Sequence, residues 1–216
     1  AMKNREVTVK DTDSDGHLSY DEALAAMHSE YYDGGAEAGY AQSKGWVSKL
    51  WGVSGGTYLF FKNEEGLSTG VTGDFVEAGD SLYASVLKDS KYYSDYYGFF
   101  NETSKSVDIG ESFTLTLKAK PGMTPGDAVA VSDAVVGQVD DNGDFQQIQH
   151  KETDSNGKVK LSFSKAGTYY VSVSDATLKD IVVTDWNLIN LAGGEPAVYG
   201  TMDYSTYESK VAYTDA

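Results

Sequence analysis

The sequence predicts an α+β domain followed by an all-β sandwich. Three observations carry that expectation. Arg5–Lys10, "REVTVK", alternates polar and apolar residues with β-branched valines, as a strand does. Ser19–Tyr32, "SYDEALAAMHSEYY", places Leu24, Met27, His28 and Tyr31 on one helical face. From Val107 onward, short alternating segments are joined by Asn-Gly, Asp-Asn-Gly and Ala-Gly turns, the pattern of a sandwich. The change of texture near 103–106 marks a boundary. It gives an α+β domain over 3–104 and a sandwich over 105–185. Residues 186–216, rich in Gly and Tyr, are expected to be an irregular tail or extra strands.

The elements follow in order. Ser19 is a predicted helix N-cap, and Glu22 three residues on completes a capping box. Asp33–Gly35 ends the helix. Lys44–Gly66 reads as two strands about a Gly-Gly turn, and Gly73–Asp89 as another strand entered through "EAGD". Lys91–Glu102 crowds Tyr92, Tyr93, Tyr96, Tyr97, Phe99 and Phe100 together at mixed spacing that defines no element. The run reads either as a core and strand-edge cluster or as a platform for a sugar or partner, with Trp46 and Trp51 open to either role. Beyond it, "ESFTLTLKAK" alternates cleanly. "DAVAVSDA", "VVGQVDDNGDFQQIQ", "GKVKLSFSKAGTYYVSVSD" and "DIVVTD" read as further strands.

Composition bounds the function. With 17 Lys and Arg against 33 Asp and Glu, the net charge of −16 repels nucleic acid and anionic membranes and suits cations. No stretch approaches 18 apolar residues, so membrane insertion is not expected. Cysteine is absent, which excludes disulfides and thiolate chemistry. The opening Ala1-Met2 reads as a cloning remnant, and the chain as an excised fragment without targeting segments.

The densest signal is "DTDSDGHLSYDE", Asp11–Glu22, with five carboxylates in twelve residues. Numbered from Asp11, it has Asp at positions 1, 3 and 5, glycine at 6 and glutamate at 12. That is the spacing of an EF-hand calcium loop. A hard cation of this size takes six to eight oxygens. Asp11, Asp13 and Asp15 would each give one, and Gly16 would let the chain turn sharply. His17 would offer its backbone carbonyl, Ser19 a water or its hydroxyl, and Glu22 both carboxylate oxygens. Leu18 is the expected apolar anchor, and Asp21 is expected to face solvent or tune the local charge. The predicted metal site is therefore Asp11, Asp13, Asp15, His17, Ser19 and Glu22, holding Ca²⁺ in preference to Mg²⁺. The competing reading is a solvated acidic turn. "VDDNGDF" (Val139–Phe145) and "TDSNGK" (Thr153–Lys158) lack the later ligands and read as hairpin turns. A lone loop suits a structural staple better than a sensor.

The order "VTV", "LSYDEALAAM", "GWVSKLWGVSGGTYLFFKNEEG" and "VEAGDSLYASV" resembles the transcobalamin-C-terminal-like module of the soluble-ligand-binding β-grasp group. The likeness lies at Trp51-Gly52, Tyr58–Phe61 with Asn63, and Gly79-Asp80. It implies a β-grasp-like domain, with the strand–calcium loop–helix unit as an insertion. "TDSNGKVKLSFSKAGTYYVSVSD" resembles a bacterial Ig-like or Cna-B-like surface domain, which implies an extracellular, cell-wall or cell-surface location.

Catalytic motifs are sparse. The three histidines His17, His28 and His150 form no His-x-x-x-His or Glu-x-x-His pair, and the Gly-x-Ser-x-Gly spellings at Gly52–Gly56 and Gly66–Gly70 lie in glycine-rich turn sequence with no helix pattern after the serine, so neither reads as a nucleophile elbow. "GVSGG" (Gly52–Gly56) lacks the residues of a phosphate loop. His28 is expected to be a half-buried packing residue. The chain is thus expected to be a non-enzymatic, calcium-binding fragment of a bacterial cell-surface protein serving interaction or adhesion. Its partner would be a protein or glycan. The alternative is a soluble module binding a corrin- or haem-like ligand, and a wall-glycan enzyme stands third.

Overall fold

The computed structural model describes residues 5–87, 91, 93, 95–102, 104–139, 145–173, 185–191, 199–201 and 208–215. The turn expected within Val139–Phe145, the strand expected over Asp180–Asp185 and Tyr92 of the aromatic run lie wholly or largely outside them. The chain divides into two compact units, one of Asn4–Lys91 with Ser205–Ala216, the other containing Tyr92–Tyr204.

In the first unit, β1 (Arg5–Val9) leads through the acidic loop into α1 (Tyr20–Tyr31), and the five-residue α2 (Gly35–Gly39) follows. Next come β2 (Ala41–Ser43), β3 (Trp46–Leu50), β4 (Val53–Ser54), β5 (Tyr58–Lys62), β6 (Glu65–Gly66) and β7 (Ser81–Val86). In the second unit, β8 (Tyr96–Phe100) is followed by β9 (Ser104–Val107), β10 (Phe113–Pro121), β11 (Val129–Ala130), β12 (Val135–Val139) and β13 (Phe145–Glu152). That unit ends with β14 (Lys158–Leu161), β15 (Thr168–Val173), β16 (Asp185–Leu191) and β17 (Tyr199–Thr201). The chain then returns to the first unit as β18 (Glu208–Asp215).

The expected α+β, β-grasp-like domain over 3–104 is corrected by this architecture. The chain is mostly β, built from small and largely antiparallel sheets. Among the described residues its helices are one of 12 residues and one of 5. The reason lies in the turns. Lys44–Gly45, Trp51–Gly52 and Asn63–Glu64 all have positive φ at both residues, as a two-residue type I′ hairpin requires. They reverse the chain between β2 and β3, β3 and β4, and β5 and β6, so successive segments pair locally. The hairpin turns within Lys44–Gly66 are therefore these three, and the expected Gly-Gly turn at Gly55–Gly56 is a link between β4 and β5. The larger sheet runs β1-β18-β7-β5-β6, with β18 parallel to β1 and antiparallel to β7. A strand from the far end of the chain thus occupies its interior.

Helix α1 buries Tyr20, Ala23, Leu24, Met27 and His28, while Val7, Val9, Leu59, Phe61, Leu82 and Ala84 are buried in the sheet strands. Alternate residues of β5 are buried, as a strand with one covered face requires. The Tyr20 hydroxyl donates to the carbonyls of Phe61 and Tyr83 on two neighbouring strands, which ties the start of the helix to the sheet.

The second unit is a β-sandwich. One sheet contains β11-β10-β14 with β8 against β10. The other contains β13-β12-β15-β16-β17 with β9 against β16. Its core takes Phe113, Leu115, Leu117 and Ala119 from β10, Val159 and Leu161 from β14, Val136 from β12, and Val171 and Val173 from β15. The later part of the aromatic run, unassigned from its spacing, is β8, in which Tyr97, Phe99 and Phe100 are all buried, while Tyr93 before it is exposed. "TDSNGK" is a turn: the Gly157 N–H donates to the Asp154 carbonyl and the Asp154 N–H to the Lys158 carbonyl. Asp154 caps it, accepting from the N–H groups of Lys158 and Asn156, and these bonds hold its carboxyl below the ordinary range.

Candidate metal centre

The acidic loop sits between β1 and α1, so its two ends are fixed by a strand and a helix. Asp11, Asp13 and Asp15 converge: one carboxylate oxygen from each lies within 4.8 Å of the others. Each aspartate also accepts a backbone N–H. Asp11 Oδ2 accepts from Gly16 (2.9 Å), Asp13 Oδ1 from Asp15 (3.2 Å) and Asp15 Oδ1 from His17 (2.8 Å). Gly16 makes the sharp turn at φ +87. The Gly16 N–H is the main reason that the Asp11 carboxyl lies below its ordinary range. All three aspartates are exposed. In water each like-charge pair at such spacing costs roughly 1 kcal/mol, which a divalent cation between them would reverse.

The remaining predicted ligands are placed differently. Glu22 stands at the base of the loop, buried, and its carboxylate binds both ends of the loop. Oε1 accepts from the Thr12 N–H and hydroxyl, and Oε2 from the Ser19 N–H and hydroxyl. Burial pushes the Glu22 carboxyl up, but these donors outweigh it and hold the group below its ordinary value. Glu22 is thus a clasp for the loop, and Ser19 is its partner. The His17 ring stacks on Phe75 at 4.3 Å with an interplanar angle of 12°, which leaves its backbone as the part available to a cation. Leu18 is half-buried.

Asp21 does not face solvent. It is half-buried and accepts from the Tyr40 hydroxyl (2.5 Å) and Gln42 Nε2 (3.0 Å). Burial pushes its carboxyl up against the opposing effect of those two donors. Gln42 also accepts from the Gly45 N–H, so one side chain links the helix start to the β2–β3 turn.

A second structural partner of the loop was not visible in the motif. Residues 71–76 lie beside its exit and pair with it. The Val76 N–H donates to Leu18 O (2.8 Å), Tyr20 N–H to Asp74 O (2.9 Å) and Asp21 N–H to Val71 O (2.8 Å). An antiparallel bridge joins Ser19 to Phe75. The 68–76 turn is fastened in its own right, because the Asp74 carboxylate accepts N–H and hydroxyl bonds from Ser68 and Thr69. The Gly- and Thr-rich "STGVTGD" signals a turn, but nothing in its local pattern signals this pairing.

These observations define a mostly β chain of two units, one carrying an acidic strand–loop–helix segment and the other a β-sandwich. No known protein family matches the chain, and no curated protein does. Neither resemblance drawn from the sequence therefore has a family match behind it. A solved structure described as "Structural basis for Dscam isoform specificity" is similar at a TM-score of 0.27 and 13% identity. The alignment covers 71% of this chain, and the chain spans 37% of that one. A likeness so slight assigns no function. Among the described residues, no helix is long and apolar enough to cross a membrane.

Proposed function

We propose that this chain is a non-enzymatic, calcium-binding piece of a bacterial cell-surface protein that serves interaction or adhesion, with the ion as a structural staple. The observation that carries the calcium reading is the convergence of Asp11, Asp13 and Asp15 within 4.8 Å on a loop turned at Gly16. Each aspartate spends one bond on the loop's own backbone and keeps further lone pairs for a cation. Hard oxygen donors suit Ca²⁺, and the His17 carbonyl, Ser19, Glu22 and water would complete its shell of six to eight. Glu22 would join the shell by giving up its bonds to Thr12 and Ser19. Exposed ligands suit a site with a Kd of roughly 10⁻⁴–10⁻³ M, adequate outside the cell. The adhesion reading draws support from the bacterial Ig-like resemblance and from the sandwich architecture of the second unit.

Isothermal titration with Ca²⁺ and with Mg²⁺ tests the ion. The expected result is one Ca²⁺ in that affinity range, weaker Mg²⁺ binding, and loss of Ca²⁺ binding by about tenfold or more in Asp13→Asn. Absence of Ca²⁺ binding at about 10 mM would reject it. Immobilised chain probed with glycan and extracellular-protein arrays, with Ca²⁺ and with chelator, tests the adhesion reading. Failure to retain any of these ligands would count against it.

A further inference from the structure

His28 lies on the inner face of α1, and both ring nitrogens are engaged. Nδ1 is 2.7 Å from the Leu24 carbonyl one turn earlier, and Nε2 is 3.2 Å from the backbone nitrogen of Trp51. A carbonyl can only accept and an N–H can only donate. Nδ1 therefore carries the proton, and Nε2 is the acceptor for Trp51. The ring stacks on the Trp51 indole at 3.9 Å and on Tyr40 at 5.3 Å, with Tyr32 tilted beside it at 5.7 Å. The residue is fully buried.

What it holds is a turn that needs holding. Trp51 has φ +49, an uncommon conformation for a bulky residue, and Gly52 follows at φ +76. The Gly52 N–H donates to Gly39 O at 2.9 Å, and the Trp51 indole N–H donates to Ala84 O at 3.0 Å. The turn joins β3 to β4 in the three-stranded β2-β3-β4 sheet. That sheet presents Trp46, 83% exposed, beside its other turn.

We propose that His28 is an acid-sensitive latch: neutral, it fastens the Trp51–Gly52 turn to helix α1, and protonated, it releases that turn and loosens the β2–β4 sheet that displays Trp46. A proton on Nε2 sets a donor against the Trp51 N–H at the same contact and leaves both without an acceptor. Beside the ring stand two phenols, Tyr32 just after α1 and Tyr40 just after α2, and the Asp21 carboxylate beyond the Tyr40 hydroxyl favours the cation, so burial is what favours the neutral form. From β3, Lys49 directs its ammonium to the Glu37 and Ala38 carbonyls. Burial accordingly lowers the His28 pKa to about 4, with the Leu24 carbonyl opposing only in part.

Amide hydrogen exchange followed by NMR on the whole chain, between about pH 7 and about pH 4, tests the latch. After correction for intrinsic exchange, Trp51 and Gly52 should lose at least about tenfold more protection than the β5 and β7 amides as His28 takes up its proton. His28→Gln offers an acceptor that does not titrate, and its turn should stay protected over the same range. Three results would overturn the latch: a turn that stays protected while His28 titrates, β5 and β7 amides that lose as much protection as the turn, or an equal loss in His28→Gln. The wild-type titration decides the matter alone if the variant does not fold.

Discussion

Ser19 and Glu22 bond reciprocally: the Glu22 N–H donates to Ser19 Oγ, and the Ser19 N–H donates to Glu22 Oε2. This capping box satisfies donors at the start of α1 that the helix itself cannot. Glu22 extends it to Thr12, so the helix cap is also the clasp of the acidic loop.

Replacing Glu22 should therefore cost stability even without an ion. Glu22→Ala is expected to destabilise the ion-free protein by about 1–2 kcal/mol, and Glu22→Gln, which can still cap, by less. Urea unfolding in chelator measures both. Acid should weaken the clasp as well. The folded carboxyl is depressed, so its contribution is present above its ordinary pKa and is lost as pH falls through the folded value.

His28 carries a shift of the same sign, higher on the pH axis. A folded pKa of about 4 against an ordinary 6.5 means that the unfolded chain binds the proton first. Its contribution, on the order of 3 kcal/mol, is full above about pH 6.5 and declines as pH falls toward 4. Denaturant midpoints measured against pH should show this decline, and His28→Gln should flatten it.

Gly52 cannot take a side chain. Its φ of +76 disfavours one, and a methyl there would collide with the Tyr32 hydroxyl. Gly52→Ala should cost about 1–3 kcal/mol, and Tyr32→Phe in the same chain should recover part of it. A double-mutant cycle separates the backbone cost from the collision.

In the sandwich, Thr153 joins two segments through one hydroxyl. Its Oγ1 donates to Val131 O at 2.7 Å and accepts from the Ala134 N–H at 2.9 Å, and the residue is buried. Thr153→Val keeps the shape, removes both bonds and leaves buried backbone groups unpaired. A loss of about 1–3 kcal/mol is expected by chemical denaturation.

Features set by near neighbours were legible in the sequence. The Ser19–Glu22 cap is a three-residue relationship, and the alternation of Phe113, Leu115, Leu117 and Ala119 marks the inward face of β10. The three aspartates converge because the loop spacing brings them together. The rest depended on distant partners. Phe99 and Phe100 are adjacent and both buried, so β8 shows no period of two. Local pattern puts the turn at Gly55–Gly56, and only the module resemblance marks a glycine turn at Trp51-Gly52, because a tryptophan at positive φ is stabilised by His28, twenty-three positions away. The α+β expectation gave too much weight to one well-marked helix, because the pairing of β7 with β18 has no local signature. At the candidate site, Glu22 looked like a ligand by position, and its bonds to Thr12 and Ser19 emerge only from the folded loop.

Thermal unfolding in Ca²⁺, in Mg²⁺ and in chelator tests the central claim most directly, with Asp13→Asn as the control. At about a hundred times its Kd, Ca²⁺ should stabilise the protein by about 2.7 kcal/mol and raise the midpoint accordingly. Mg²⁺ should do less, chelator should reverse the gain, and Asp13→Asn should cut it to about half or less. A midpoint that ignores Ca²⁺ at that concentration would contradict the account and leave Asp11–Glu22 a solvated acidic turn held by its own hydrogen bonds.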